Sequence, residues 1–214
     1  TVNELIERLK SEEAEIIVPY ELEESTLLKD VLSKPKTNYY IVIGPEVGID
    51  IKVLNGKEEA AIGILGASYG FDNEKLLVID VGGGSTELVL GCNEKILYSS
   101  SINAGAVRMT EKYIKSNPIA QQDIDALEES LDRLFHDAIM QLKDERIDRI
   151  IAIGGTATTA ASIYHKLRVY DWEVIHNTIL DQCFLNKIFD TLKSMTVKER
   201  YSIKGLQKER ADIM

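Results

Sequence analysis

Three consecutive glycines between two apolar stretches constrain this sequence more than any other feature. Residues 76–81 are nearly all apolar, as in a strand buried on both faces, and a second apolar stretch, 86–90, follows directly after Gly82-Gly83-Gly84-Ser85. So short a link joins antiparallel strands, because a parallel crossover needs about a dozen residues or more. Glycines let the main chain approach a ligand closely and direct N–H groups at it. The segment therefore predicts a hairpin whose turn can hold an anion.

Two acidic residues, Asp80 and Glu87, flank this turn. Carboxylates in such positions can hold Mg²⁺ or position water against a phosphate, and Ser85 and Thr86 add hydroxyl groups. The turn is not a Walker A loop, which needs Gly-Lys-Ser/Thr, and it is not a dinucleotide fingerprint, because a strand rather than a helix follows. A glycine-rich hairpin with two solvated carboxylates is the alternative interpretation, and a second motif argues against it.

The second motif follows another buried strand, residues 149–153. It reads Gly154-Gly155-Thr156-Ala157 and continues into small residues typical of a closely packed helix. A strand, paired glycines and a helix start together offer free N–H groups to an anion. Close helix-to-strand packing explains this motif equally well when it is taken alone. With the first loop, it predicts two phosphate-binding loops that face one cleft.

The remaining patterns predict an α/β fold. Residues 96–102 continue the hairpin into a three-stranded antiparallel meander, and residues 124–142 repeat apolar side chains at helical spacing. A further amphipathic helix is predicted over 184–192, and Thr196 with Glu199 forms a capping-box pattern. We expect a mixed sheet that begins with the antiparallel meander and carries helices on both faces.

The composition excludes several classes of function. The 25 Lys and Arg against 35 Asp and Glu give a net charge of −10, which argues against sequence-independent nucleic-acid binding. A phosphorylated substrate is compatible with this net charge, because backbone dipoles or one metal ion at the binding site can outweigh it locally. No apolar run reaches the roughly 18 residues of a membrane span. Cys92 and Cys183 lack metal-site spacing and suit a reduced compartment, so we expect a cytoplasmic protein with no nucleic-acid or membrane partner.

Five segments taken together resemble the exopolyphosphatase and guanosine pentaphosphate phosphatase family, which has the actin–hexokinase superfamily fold. The matching segments are residues 54–60, 78–91, 103–108, 153–159 and 195–213, the last of which contains Glu209-Arg210-Ala211-Asp212. The glycine loop alone is moderately specific, whereas all five segments in this order are highly specific.

The resemblance implies Mg²⁺-assisted hydrolysis of terminal phosphoanhydride bonds in polyphosphate or guanosine pentaphosphate, in a protein that often forms homodimers. It implies that Glu59, rather than the neighbouring Glu58, is the general base that activates the attacking water. Asp80 and Glu87 match the family's acidic residues that assist through metal or water. The implied phosphate-binding residues are Gly82, Gly83, Gly84, Ser85, Thr86, Gly154, Gly155, Thr156 and Ala157. Arg108, after a turn at a helix start, is a further candidate partner for phosphate.

The sequence departs from the family pattern near its beginning. The family opens with a phosphate loop of the pattern Asp-x-Gly-Ser-Asn-Ser, which residues 1–45 do not match, and residues 32–38 carry lysines where the family has an arginine. We therefore expect residues 1–74 to be a partial first actin-like domain. Residues 75–214 are expected to form a second, C-terminally incomplete domain that carries both loops.

Two other functions stay open at this point. A phosphotransferase of the same superfamily would need an adenosine pocket after the second glycine motif. A non-enzymatic nucleotide- or phosphate-binding regulatory module is favoured by the unmatched first phosphate loop. The sequence does not separate polyphosphate from guanosine pentaphosphate as the substrate of a hydrolase.

Overall fold

A computed structural model describes residues 17–18, 52–53, 56–68, 70–93 and 95–214, with side chains in the first helix from residue 62 onward. The chain divides into two units, Thr1–Glu59 and Ala60–Met214. In the first unit, strands β1 (Ile17–Val18) and β2 (Lys52–Val53) pair in parallel. Most of the segment predicted to be a first domain lies outside the described residues, so the division at residue 74 stays a prediction.

The second unit is built on a four-stranded sheet in the order β5-β4-β3-β6. Its strands are β3 (Lys75–Val81), β4 (Thr86–Cys92), β5 (Lys95–Ile102) and β6 (Arg149–Ile153). The pairs β3–β4 and β4–β5 are antiparallel, and β6 lies parallel to β3. The predicted meander and mixed sheet are therefore confirmed.

Side chains of β3 alternate between two apolar layers, which explains why this strand is apolar almost throughout. Leu77 belongs to the cluster on one face of the sheet, whereas Leu76 and Val78 belong to the cluster on the other. Asp80 continues the second series and so shares the face of Leu76 and Val78. Asp80 therefore lies near the carboxyl end of a largely buried strand.

Helices cover both faces, as predicted. The described helices are α1 (Gly56–Ser68), α2 (Ala106–Tyr113), α3 (Gln121–Leu142), α4 (Gly154–His165), α5 (Trp172–Ile175), α6 (Gln182–Ser194) and α7 (Val197–Arg200), followed by a 3-10 helix, Lys208–Arg210. Ile64 of α1 packs with Leu76 and Val78, whereas Met109 of α2 and Ala138 of α3 pack on the opposite face. Within the described ranges, no helix is both long and apolar enough to cross a membrane.

A third cluster holds the C-terminal part together around a buried arginine. Ile163 of α4, Leu192 of α6 and Ala211 share this cluster. Arg200 is only 1% exposed, and its guanidinium donates to Leu192 O at 3.0 Å, Ala211 O at 2.9 Å and Met214 O at 3.1 Å. One side chain therefore ties the end of α6 to the segment that follows the 3-10 helix.

Candidate active site

The two glycine motifs lie at the same end of the sheet. Strands β3 and β6 are parallel neighbours, with Asp80 opposite Ile153, and each strand runs directly into one of the motifs. The carboxyl ends of parallel strands meet at one edge of a sheet, which is where α/β proteins place their ligands. The two motifs therefore lie at one edge of the sheet, and their predicted binding of phosphate in one cleft stays a prediction.

The carbonyl groups of the first loop are bonded to the start of helix α2. The N–H of Ala106 donates to Gly82 O at 2.8 Å, and the N–H of Arg108 donates to Gly83 O at 3.0 Å. The Arg108 side chain adds a bond from Nε to Gly84 O at 2.7 Å. The two main-chain bonds satisfy N–H groups that the start of a helix leaves unpaired. Together with the Arg108 side-chain bond, they fix the directions of the Gly82, Gly83 and Gly84 carbonyl groups.

Most N–H groups of the same loop have no main-chain partner in the described part of the chain. Gly82 N–H closes the turn on Ser85 O at 3.0 Å. The N–H groups of Gly83, Gly84 and Ser85 have no main-chain acceptor among the residues that the structure describes. Successive unpaired N–H groups in a tight turn form an anion-binding concavity. The loop is therefore arranged to receive a phosphate on its N–H side.

Two tight contacts hold the loop in this form. A Cβ atom at Gly105 would lie 2.4 Å from the main chain of Gly83, so only glycine lets α2 begin this close to the loop. Thr86 is buried, and its hydroxyl donates to Ala104 O at 2.8 Å. The Thr86 hydroxyl is thus engaged within the fold, whereas Ser85 lies in the turn itself.

Asp80, Glu87 and Ser101 form a row across three strands. Asp80 pairs with Glu87 between β3 and β4, and Glu87 pairs with Ser101 between β4 and β5. Ser101 Oγ donates to Glu87 Oε1 at 2.7 Å. Burial raises the pKa of the Asp80 carboxyl, and the negative charge of Glu87 raises that pKa further. The two carboxylates thus stand close enough to repel each other.

Gly154 of the second glycine motif lies against Asp80, which precedes the first glycine loop by two residues. Gly154 has a φ of +81°, and a Cβ atom there would lie 2.2 Å from Asp80 Oδ1. Both the left-handed conformation and the close approach require glycine. Gly154 is therefore needed for a contact between the second loop and the acidic row, in addition to any role in binding phosphate.

Helix α4 begins at this motif without a side-chain N-cap. The N–H groups in the first turn of a helix lack acceptors within the helix, so those of Gly155, Thr156 and Ala157 are available to an anion. The Thr156 hydroxyl donates to Val81 O at 3.1 Å, which joins α4 to the end of β3.

Arg210 also belongs to this site, although the sequence suggested no role for it beyond membership of a matching segment. Its Nη2 donates to Thr156 Oγ1 at 3.3 Å, and a Cβ atom at Gly155 would lie 2.7 Å from its Nη1. Its buried Nε has no partner among the described residues. Burial lowers the pKa of Arg210, against the opposing effect of Asp212. Because 54 residues separate Arg210 from Thr156, no local pattern could have revealed this contact.

Glu59, the residue that matches the family's general base, lies near the start of α1. Its side chain lies outside the described residues, and so does that of Glu58. The predicted role of Glu59 therefore stays a prediction.

The acidic pair fits a magnesium ion. Mg²⁺ commonly takes one or two protein carboxylates and completes its octahedron with water and phosphate oxygens. Asp80 and Glu87 could supply that donor set. Burial raises the pKa of the Asp80 carboxyl, and the negative charge of Glu87, which a bound cation would offset, raises that pKa further. Among the residues described, no three or more His, Cys, Asp and Glu side chains are grouped so that they could hold a metal ion.

A cavity of about 600 Å³ lies between the sheet and helices α2 and α3. Its wall is mostly apolar and includes Leu77, Leu131 and Phe135, and its polar lining residues are Thr86, Thr110 and Lys143. A mostly apolar wall suits a phosphate less well than the N–H groups of the glycine loops do.

Comparison with known sequences identifies the family. A sequence model of the Ppx/GppA phosphatase family matches residues 37–214. The chain belongs to this family. It is 30% identical over 169 residues to exopolyphosphatase 2 of Mycobacterium tuberculosis, covering 78% of this chain and 53% of that protein. It is also 33% identical over 211 residues to a bifunctional 3-dehydroquinate synthase/phosphatase of Fusobacterium nucleatum, covering 93% of this chain and 31% of that protein.

Solved structures confirm the fold. The PPX-GPPA enzyme of Aquifex aeolicus superposes with a TM-score of 0.72 at 28% identity, covering 80% of this chain and 56% of that one. An exopolyphosphatase-like protein superposes with a TM-score of 0.70 at 30% identity, covering 78% and 55%. The chain therefore has the actin-like ATPase fold of the Ppx/GppA family. It spans between about a third and just over half of the length of these relatives.

Proposed function

We propose that this chain carries phosphate-binding and acidic residues of a hydrolase that releases terminal phosphate from polyphosphate or guanosine pentaphosphate with the help of Mg²⁺. The observation that carries the proposal is the Asp80–Glu87 pair between two glycine loops with free N–H groups. Membership of a phosphatase family supports the reaction class. The two substrates require the same chemistry at the bond that is cleaved.

The glycine loops bind the phosphate oxygens in this proposal. Phosphoryl transfer spreads negative charge over the equatorial oxygens, so catalysis depends on positioning and on fixed donors. The proposed phosphate-binding residues are Gly82, Gly83, Gly84, Ser85, Thr86, Gly154, Gly155, Thr156 and Ala157. Among them, the Gly82 N–H and the Thr86 hydroxyl are bonded within the fold and shape the first loop rather than donate to phosphate. Arg108 Nε donates a hydrogen bond to Gly84 O and so holds the first loop in place. The remaining N–H groups of the Arg108 guanidinium are further proposed phosphate donors.

Glu59 acts as the general base, as the resemblance implies. Its carboxylate accepts a proton from water while the water oxygen bonds to the terminal phosphorus. The bridging P–O bond breaks, and its electron pair leaves with the shortened phosphate chain. A carboxylate close to a desolvated phosphate site suits this role, because burial raises carboxyl pKa values towards the working pH.

Asp80 and Glu87 would hold the magnesium ion. When bound, Mg²⁺ supplies positive charge that stabilises the phosphate oxygens during bond cleavage. Asp80 must lose its proton to act as a ligand, and its raised pKa makes that loss harder than for an ordinary Asp. We therefore expect activity that depends on Mg²⁺ and falls on acidification as Asp80 takes up its proton.

The experiment that tests the proposal measures phosphate release from polyphosphate and from guanosine pentaphosphate with and without Mg²⁺. We expect Glu59→Gln to lower kcat by about 100-fold or more, because it removes a general base. Glu58→Gln is the matched control on the same helix and should stay close to wild type. The substrate that is cleaved faster names the enzyme.

Two other outcomes would contradict the proposal. ADP-dependent phosphate transfer without net release would show a phosphotransferase. Tight nucleotide binding without turnover at saturating Mg²⁺ would show a regulatory binding module. The expected homodimer is a separate proposal, which light scattering on the purified chain checks directly, and the expected cytoplasmic location is checked by cell fractionation.

A further inference from the structure

The hydroxyl of Ser101 bonds directly to one of the two carboxylates of the candidate site. We infer that Ser101 is a positioning residue that orients Glu87 for the reaction. This inference rests on the proposed function, in which Glu87 assists hydrolysis. It adds a residue on β5, a strand that carries none of the predicted site residues.

The contact follows from the register of the sheet. Glu87 and Ser101 are directly opposite each other on antiparallel strands, so their side chains project from the same face. Ser101 Oγ lies 2.7 Å from Glu87 Oε1, a distance typical of a hydroxyl that donates to a carboxylate. The bond uses one carboxylate oxygen of Glu87.

The position of Ser101 explains why such a bond is needed. Glu87 has Asp80 on one neighbouring strand and Ser101 on the other. Repulsion from Asp80 would displace a flexible glutamate, whose side chain can turn about three bonds. Ser101 fixes the carboxylate on the side away from Asp80. The second oxygen, Oε2, then stays available for a metal ion or a water molecule.

A matched set of variants separates this role from a general effect on the strand. Ser101→Ala removes the hydroxyl, whereas Ser101→Thr keeps it on a residue that strands favour. Ser99→Ala is the control, because Ser99 is exposed, lies two residues away on the same strand and makes no side-chain hydrogen bond within the described part of the chain. All three substitutions are at exposed positions and should leave the fold intact.

The first measurement does not depend on activity. Side-chain scalar couplings in NMR spectra report whether Glu87 keeps one rotamer or exchanges among several. We expect one dominant rotamer in the wild type, Ser101→Thr and Ser99→Ala, and averaged couplings in Ser101→Ala. Averaged couplings in the wild type, or unchanged couplings in Ser101→Ala, would overturn the inference whether or not the protein is a hydrolase.

The second measurement follows Mg²⁺-dependent phosphate release by the same variants. We expect Ser101→Ala to lower kcat/KM by about 3- to 10-fold, with no loss in Ser101→Thr or Ser99→Ala. In a Glu87→Ala background, Ser101→Ala should cause no further loss, because the acceptor of the Ser101 hydroxyl is gone. An equal loss in both backgrounds would overturn the inference. A wild type that binds Mg²⁺ and substrate but releases no phosphate would instead overturn the proposed function, and the positioning role would fall with it.

Discussion

At the scale of single residues, Asp80 is the residue on which the candidate site depends most. It ends a buried strand, pairs with Glu87 across the sheet and contacts the left-handed turn at Gly154. Burial and a neighbouring negative charge both raise the pKa of its carboxyl. Ionisation of such a group costs the folded state free energy, which fits the proposed role of Asp80 in binding better than a role in stability.

Replacing Asp80 by Asn should stabilise the fold at neutral pH while lowering activity. A carboxyl with a raised pKa binds its proton more tightly in the folded state, so wild-type stability falls as the pH rises from about 3.8 through the folded pKa. Asn cannot ionise and escapes this loss. Denaturant unfolding at a series of pH values should show a gap between the two proteins that is widest at pH 7 and closes towards pH 4. Asp72→Asn, at an exposed turn, is the control. An equal pH-dependent difference in unfolding free energy between the wild type and Asp72→Asn would contradict the explanation.

The sequence predicted which residue types meet at the site, but not how each one is used. It assigned Arg108 and Thr86 to phosphate binding, whereas the structure shows Arg108 Nε on Gly84 O and the Thr86 hydroxyl on Ala104 O. It assigned no individual role to Arg210. Side-chain partners depend on contacts between distant segments, and a motif records only residue type and spacing. The phosphate-binding role of Arg108 itself stays a prediction.

At the scale of elements, the close approach between the second glycine loop and Asp80 is a packing requirement. Gly154→Ala should cost about 1–3 kcal/mol of unfolding free energy from its positive φ alone, with an added clash against Asp80 Oδ1. Gly63→Ala is the matched control, since it lies in helix α1 with no atom within 4 Å of the new Cβ and should gain about 0.5–1 kcal/mol. Chemical denaturation of both variants checks the pair, and similar effects at both positions would contradict the packing argument.

A second element-scale requirement is the anchor at Arg200. Arg200→Lys keeps the charge but cannot supply the same fork of donors to Leu192 O and Ala211 O, so buried carbonyls lose their partners. We expect a loss of about 2 kcal/mol or more in unfolding free energy. Lys198→Ala, on the same short helix but exposed, should change stability by less than about 0.5 kcal/mol. Equal stability of the two variants would show that the anchor contributes nothing.

The secondary structure was largely predictable from the sequence, and the exceptions have a physical cause. The capping box of Thr196 and Glu199 matches the prediction, because capping leaves a local pattern. Strand β6 forms over the predicted residues, but its predicted burial is wrong: it lies at an edge of the described sheet, and Ile150 is 62% exposed. Helix α5, Trp172–Ile175, and the 3-10 helix, Lys208–Arg210, were missed. Each is a single turn or less, which is too short to show periodicity.

At the scale of the whole molecule, a net charge of −10 contrasts with the proposed binding of phosphate at the glycine loops. The positive potential at the site comes from local sources: free loop N–H groups, the start of α4 and the guanidinium of Arg210. These sources act over a short range, whereas the net charge acts on a substrate during its approach. A long polyanion should therefore meet repulsion before it meets the loops.

This contrast predicts that kcat/KM for a long polyphosphate rises, rather than falls, as the salt concentration increases. The screening length falls from about 30 Å at 0.01 M salt to about 8 Å at 0.15 M, which weakens repulsion during approach more than contacts at the loops. With free Mg²⁺ held constant, kcat/KM for long-chain polyphosphate should rise by about threefold or more over this range. Guanosine pentaphosphate carries fewer charges and should show a smaller rise.

Initial rates of phosphate release at matched ionic strengths check this prediction. Sodium chloride and potassium acetate are compared so that an effect of one particular ion is separated from screening. If the rate on long polyphosphate falls with salt instead, the chain attracts that substrate over a distance in spite of its net charge. Attraction of that kind requires a basic track along which the polymer binds, and long polyphosphate would then be favoured over the nucleotide as the substrate.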